Sequence, residues 1–107
     1  MSRDEKAIEA EIQAKGKTAP RLTPDIIDGK IKAERFFFVP ERAVTICALT
    51  LENGFVVTGE SAPVSVENFD MEIGRKIARA KAREKIWALE GYLLRERLHV
   101  SERIAGV

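Results

Sequence analysis

The chain has 107 residues, 45% of them hydrophobic and 33% charged, with eighteen Lys and Arg against seventeen Asp and Glu. That balance describes one small folded domain rather than a disordered tail, and a net charge of +1 is far from the basic excess that duplex nucleic-acid binding by phosphate neutralisation requires. A single cysteine, Cys47, and a single histidine, His99, rule out an internal disulfide and a thiolate-rich zinc site, and no uncharged run of about 18 residues offers a membrane span.

The first segment, "RDEKAIEAEIQAKG", combines good helix formers with Ala7, Ile8 and Ile12 at helical spacing and Gly16 at the C-cap position, which predicts a helix. It lacks the apolar core of a signal peptide, so a reducing cytoplasm is the expected compartment. "KTAPRLTP" reads as a linker. Residues 1–22 are therefore expected to be a helical extension and linker, and residues 23–107 a single α+β domain. Thr23 ahead of Pro24 and Asp25 is an N-cap followed by proline at the first helical position, so "TPDIIDGKI" predicts a short helix ended by Gly29.

From Ile31 to Ser61 the pattern becomes period two and rich in β-branched and aromatic residues, which predicts strands at "IKAERFFFV", "AVTICALTL" and "FVVTG". Asn53-Gly54 between the last two is the signal for a two-residue type I′ turn. That turn would pair Glu52 with Phe55, Leu51 with Val56, Thr50 with Val57 and Leu49 with Thr58. Cys47, Leu49, Leu51 and Val56 would then share one face, and Ile46, Ala48, Phe55 and Val57 the other. Neither face is polar, so both are expected to be covered, one by a long helix and the other by the N-terminal helices or a second subunit.

A long helix is predicted over 70–98, with Asp70 or Asn68 as N-cap and Glu72 in a first turn that suits carboxylates. Ile73, Ile77, Ala80, Trp87 and Leu94 form its expected core stripe. Beyond residue 85 the apolar positions broaden, which points to self-association. Gly91 inside the helix costs about 1 kcal/mol relative to Ala and suggests a kink or a close backbone approach. The fold expected is thus α+β: a three-stranded antiparallel sheet packed on a long C-terminal helix, with short N-terminal helices.

Catalysis is not signalled. There is no G-x-S-x-G, His99 is the only imidazole and Cys47 alternates between apolar neighbours in a strand, so a nucleophilic constellation fails on inventory. No metal-ligand spacing and no glycine-rich phosphate loop are present, and neither a metal nor a cofactor is expected. Two features offer binding chemistry instead. In "ENFD", Asn68 and Asp70 stand two apart at a helix start; they either cap the helix and form an Asx-turn, with Phe69 as a staple, or hold polar groups of a ligand. Arg75, Lys76, Arg79, Lys81, Arg83 and Lys85 put six cations into eleven helical residues with only Glu84 among them. They form either a solvated face or a phosphate-binding strip, the latter strengthened by Phe36, Phe37 and Phe38 and by Arg35 and Arg42 near the strand ends.

The motifs "TIC", "LENGF", "GESA", "ENFD", "EIGR" and "KIWALEGYLL", in fixed order over residues 45–94, resemble the phage gp49/gp66-like family of small proteins of tailed bacteriophages. That family is similar to the Thoeris anti-defence type 1 proteins, which sequester a cyclic ADP-ribose-type immune signal without cleaving it. The resemblance implies a non-enzymatic sponge in the cytoplasm of the infected bacterial host. It implies a homodimer or hexamer, a small cyclic nucleotide as ligand, and in some members a further site for cyclic oligonucleotides. It also implies that Asn68 and Asp70 meet ribose or base and that a helix cation, Lys85 or else Arg75, faces the pyrophosphate. Phe36 and Phe38 are the candidate stacking rings. The competing expectation is a phage interaction protein that inhibits a host protein through an apolar surface.

Overall fold

The computed structural model describes residues 4–17 and 19–106. The order of elements is α1 (Glu5–Ala14), α2 (Pro24–Gly29), β1 (Ile31–Val39), a 3₁₀ turn (Pro40–Arg42), β2 (Val44–Leu51), β3 (Val56–Ser61), a second 3₁₀ turn (Val66–Asn68) and α3 (Met71–Ala105). The three strands make one antiparallel sheet in the order β1-β2-β3, and α3 lies across one of its faces. The predicted α+β architecture is therefore the observed one. α2 starts as its sequence requires, with the Thr23 side chain accepting from the Ile26 N–H at 3.2 Å and Pro24 at the first position.

The β2–β3 hairpin differs from the two-residue turn. Thr50 pairs with Val56 and Leu49 with Val57, while the Leu51 N–H donates to the Phe55 carbonyl and the Gly54 N–H to the Leu51 carbonyl. The connection is thus three residues, Glu52 to Gly54, with the positive φ confined to Gly54 at 90°. This is the type I turn closed by a glycine bulge. Asn53 accepts from the Phe55 N–H through its side chain at 3.0 Å instead of adopting positive φ. The change moves every β3 residue by one position, so Val57, 5% exposed, joins Cys47, Leu49 and Leu51 in the core and Val56 turns outward.

The expected helix stripe is also displaced. Gly74, Ala78, Ala82 and Ile86 are the buried residues of α3, whereas Ile73 and Ile77 are 56% and 42% exposed. The cause lies in β3. A Cβ on Gly59 would fall 2.4 Å from the Ala78 carbonyl oxygen and from the Ala82 amide nitrogen, so helix and strand backbones are in direct contact and only small helix side chains fit the seam. Burying backbone against backbone brings α3 close enough for Cys47, Leu49, Val57 and Ile27 to close one core around it. α3 itself runs seven residues beyond the expected end at 98, and it is unbroken at Gly91, where a Cβ would meet only the Leu22 side chain at 3.9 Å.

The opposite face of the sheet stays open, because α2 packs its Ile27 into the helix-side core. Phe37, Val39 and Val56 remain 45%, 40% and 48% exposed there, and among the described residues nothing covers them. α1 buries no residue of its own. It is held by polar contacts: Arg21 grips Glu9 with two bonds of 2.7 Å, and Glu5 accepts from Arg83 at 2.7 Å and from the Trp87 indole at 3.1 Å.

Candidate functional site

The start of α3 separates two grooves. Asp70 is the N-cap, its Oδ1 accepting from the Ile73 N–H at 3.0 Å, which resolves the choice of cap in its favour and satisfies one of the free donors of the first turn. Phe69 ahead of it packs beside Gly74, 3.4 Å from where a Cβ would stand, and its ring lies 5.2 Å from that of Phe38 at an interplanar angle of 33°. The two phenylalanines tie the end of β1 to the start of the helix. On the β3 side, Asn68 and Asp70 line a groove of about 170 Å³ with Ser61, Pro63, Ile73 and Ile77. Asn68 is exposed and makes no side-chain hydrogen bond among the described residues.

On the β1 side a larger groove of about 470 Å³ is lined by Phe36, Met71, Glu72, Arg75, Lys76 and Arg79. β1 directs Glu34, Phe36 and Phe38 to this side by its alternation, and α3 supplies Arg75 and Arg79 one turn apart. The Arg75 guanidinium carbon stands 5.2 Å from the centre of the Phe36 ring, within cation–π range. Arg79 is bound to Glu34 at 2.6 Å and Lys76 to Glu72 at 3.4 Å. Of the three cations lining this groove, Arg75 alone has no carboxylate partner among the described residues. Below it, Thr45 is 2% exposed and its hydroxyl has no hydrogen-bond partner; it lines a cleft of about 40 Å³ together with Phe36, Phe38, Met71 and Arg75.

The basic strip of the sequence is therefore divided by its partners. Arg83 is tied to Glu5 and Asp28, each at 2.7 Å, and Glu5 above all raises its pKa, so Arg83 serves to hold the N-terminal segments. Lys81 and Lys85 are exposed and carry no ion pair among the described residues. Lys85 lies fifteen residues after Asp70, about 22 Å along the helix axis at the standard rise. Within one chain the candidate residues consequently form two groups, Asn68 with Asp70 and Phe36 with Arg75. Phe38 leans between them on Phe69, and Lys85 stands apart. Arg42 belongs to the 3₁₀ turn after β1 and is exposed, with no side-chain hydrogen bond or ion pair among the described residues. Met71, Glu34 and Thr45 join the site without a sequence signal of their own; only the period-two alternation through Glu34, Phe36 and Phe38 hints at a shared face.

Nucleophilic chemistry gains nothing from the geometry. Cys47 is fully buried and burial, chiefly, pushes its thiol up, the opposite of an activated thiolate. Among the described residues no three His, Cys, Asp or Glu side chains gather as a metal site, and no helix is long and apolar enough to cross a membrane.

A family model described as the phage protein (N4 Gp49/phage Sf6 gene 66) family matches residues 22–98. No curated protein and no solved structure matches the chain.

Proposed function

The chain belongs to the N4 Gp49/phage Sf6 gene 66 family of phage proteins, and from that premise we propose that it is an anti-defence sponge. In this reading it binds a cyclic ADP-ribose-type signalling nucleotide and withholds it without cleavage. The observation that carries the reading is the Arg75 guanidinium held 5.2 Å over the Phe36 ring at the wall of an open groove. A ring and a planar guanidinium offer a nucleotide its two needs, a stacking surface and a fork for phosphate oxygens. Arg75 has no carboxylate among the described residues to release on binding, whereas Arg79 would have to share Glu34.

In this reading Asn68 and the free oxygen of Asp70, which line the groove across the helix start from Arg75, meet ribose hydroxyls or base edges of a ligand that reaches over both grooves, and Arg42 and Phe38 border it. Lys85 acts from a second copy, because its distance along α3 removes it from its own helix start; the homodimer or hexamer belongs to the same proposal. Retention requires slow release rather than transition-state stabilisation, so no catalytic group is called for and the protein is not an enzyme. The reading places it in the cytoplasm of the infected cell, where such a signal is made.

A second reading, inhibition of a host protein through an apolar surface, is favoured by the open sheet face with Phe37, Val39 and Val56 exposed. Incubating the protein with TIR-generated nucleotide and filtering it separates the two. Depletion of the filtrate, with intact nucleotide recovered after heat denaturation, supports the sponge. An unchanged filtrate refutes it, and a shortened product makes the protein an enzyme.

A further inference from the structure

We propose that Thr45 reads the ligand of the groove between Phe36 and Arg75. Its buried hydroxyl is the floor of a side chamber that takes one uncharged hydrogen-bonding group of the nucleotide, a base amino group or a ribose hydroxyl. The inference rests on the sponge reading of this groove and adds to it a residue that determines specificity.

Thr45 interrupts an apolar series. On the helix side of β2 the buried positions are Thr45, Cys47, Leu49 and Leu51, and among the described residues Thr45 is the one buried polar side chain. A valine has the same shape and would serve this core with no polar atom to satisfy. The Thr45 hydroxyl, by contrast, has no hydrogen-bond partner, and its surroundings explain why. Phe38, level with it on β1, offers only carbon, and Ser61, level with it on β3, makes no bond to it. Above it lies Gly74, where a Cβ would come within 3.0 Å of the Thr45 Oγ1, and the Gly74 N–H already donates to the Asp70 carbonyl at 2.9 Å. A buried hydroxyl left unpaired in this way is unfavourable for the free protein, and a group that enters to pair with it recovers that cost.

The space beside the hydroxyl fits one small group. Thr45 lines the cleft of about 40 Å³, and three of the cleft's other residues, Phe36, Met71 and Arg75, also line the groove of about 470 Å³. The cleft is thus a side chamber of the groove. Met71, unbranched and 47% exposed, is the movable part of their common wall. At about 10–15 Å³ for each water-sized group, the chamber admits an amino or hydroxyl group with the atom that carries it and is too small for a phosphate. Two phenyl rings and a thioether flank the Thr45 hydroxyl, surroundings that suit an uncharged group. The Arg75 guanidinium over the Phe36 ring is left for the phosphate oxygens, so the two halves of a nucleotide, polar and anionic, find separate partners.

Thr45→Val and Thr45→Ser test the assignment by thermal melting and calorimetry. Without ligand, Thr45→Val should raise the melting temperature by about 5 °C, because it removes an unpaired buried hydroxyl and keeps the shape. The same variant should lose about fivefold in affinity for the cyclic ADP-ribose-type nucleotide, the worth of one neutral hydrogen bond, and Thr45→Ser should retain the affinity. An analogue without the purine 6-amino group distinguishes the two sources of the bound group. Equal affinity of wild type and Thr45→Val for the analogue assigns the contact to the base, and an unchanged gap assigns it to the ribose. A melting temperature of Thr45→Val that does not rise would show that the hydroxyl is already bonded and would overturn the proposal. So would equal affinity of the two proteins for the parent nucleotide when the wild type binds it. Either result leaves the role of Arg75 standing, whereas a folded wild type that binds no nucleotide removes both.

Discussion

Gly59 supports the backbone of Ala78 directly: a methyl group on the glycine would stand 2.4 Å from the Ala78 carbonyl oxygen. The contact sets the distance between sheet and helix, and with it the groove between Phe36 and Arg75. Gly59→Ala should cost roughly 3 kcal/mol, at the upper end of overpacking substitutions, because backbone rather than a flexible side chain must yield. Chemical denaturation would measure it, and a loss under about 0.5 kcal/mol would mean that the helix rides more loosely than this seam requires.

Gly91 gives the opposite expectation. A Cβ there meets only Leu22, at an ordinary contact distance of 3.9 Å, inside an otherwise regular helix. Gly91→Ala should raise stability by about 1 kcal/mol through helix propensity. A destabilised variant in the same denaturation experiment would reveal a close neighbour at this position, such as another subunit.

Asp70 and Asn68 separate by what they do for the fold. Asp70→Ala removes the acceptor for the Ile73 N–H and should lose about 1 kcal/mol, with Asp70→Asn restoring most of it. Asn68→Ala should leave the melting temperature within a degree of wild type while weakening nucleotide retention. Equal destabilisation by both alanines would assign Asn68 to the fold instead.

Acid should loosen α1 before the domain unfolds. Glu9 has its pKa lowered from 4.5 to about 2, first by the hydrogen bonds from Arg21. A carboxylate depressed in the folded state stabilises it at pH above its ordinary value, and the contribution fades as pH falls from about 4.5 towards 2. Trp87, the only tryptophan, lies beside Glu5 of the same helix and reports the event. Its fluorescence should shift in that window while far-ultraviolet circular dichroism of α3 persists, and Arg21→Ala should remove the window.

Particular residues account for how much could be read in advance. β1 and α2 stood out because alternation and the Thr23-Pro24 start are local signals, and the α+β arrangement follows from them. The hairpin register did not. Asn-Gly suits a two-residue loop, but Asn53 spends its side chain on the Phe55 N–H, and the resulting three-residue loop trades Val56 for Val57 in the core. The helix seam escaped too, since large apolar residues at 73 and 77 look like core until Gly59 is known to face the helix. At the site, the cap was legible as a choice between Asp70 and Asn68, and Phe36 and Arg75 were each legible as candidates, but their pairing across strand and helix was not, nor was the separation of Lys85 from them. The neutralisation of Arg79 by Glu34 and of Arg83 by Glu5 was not, because those partners lie 45 and 78 residues away in the chain.

The most direct measurement is a calorimetric titration of a cyclic ADP-ribose-type nucleotide into wild-type protein and into Arg75→Ala. The wild type should bind tightly, release the nucleotide chemically unchanged, and lose at least about tenfold in affinity with Arg75→Ala, as expected for a charge-assisted contact of 1.5–3 kcal/mol. No binding by the folded wild-type chain, or equal affinity in the two proteins, would contradict the assignment of this groove.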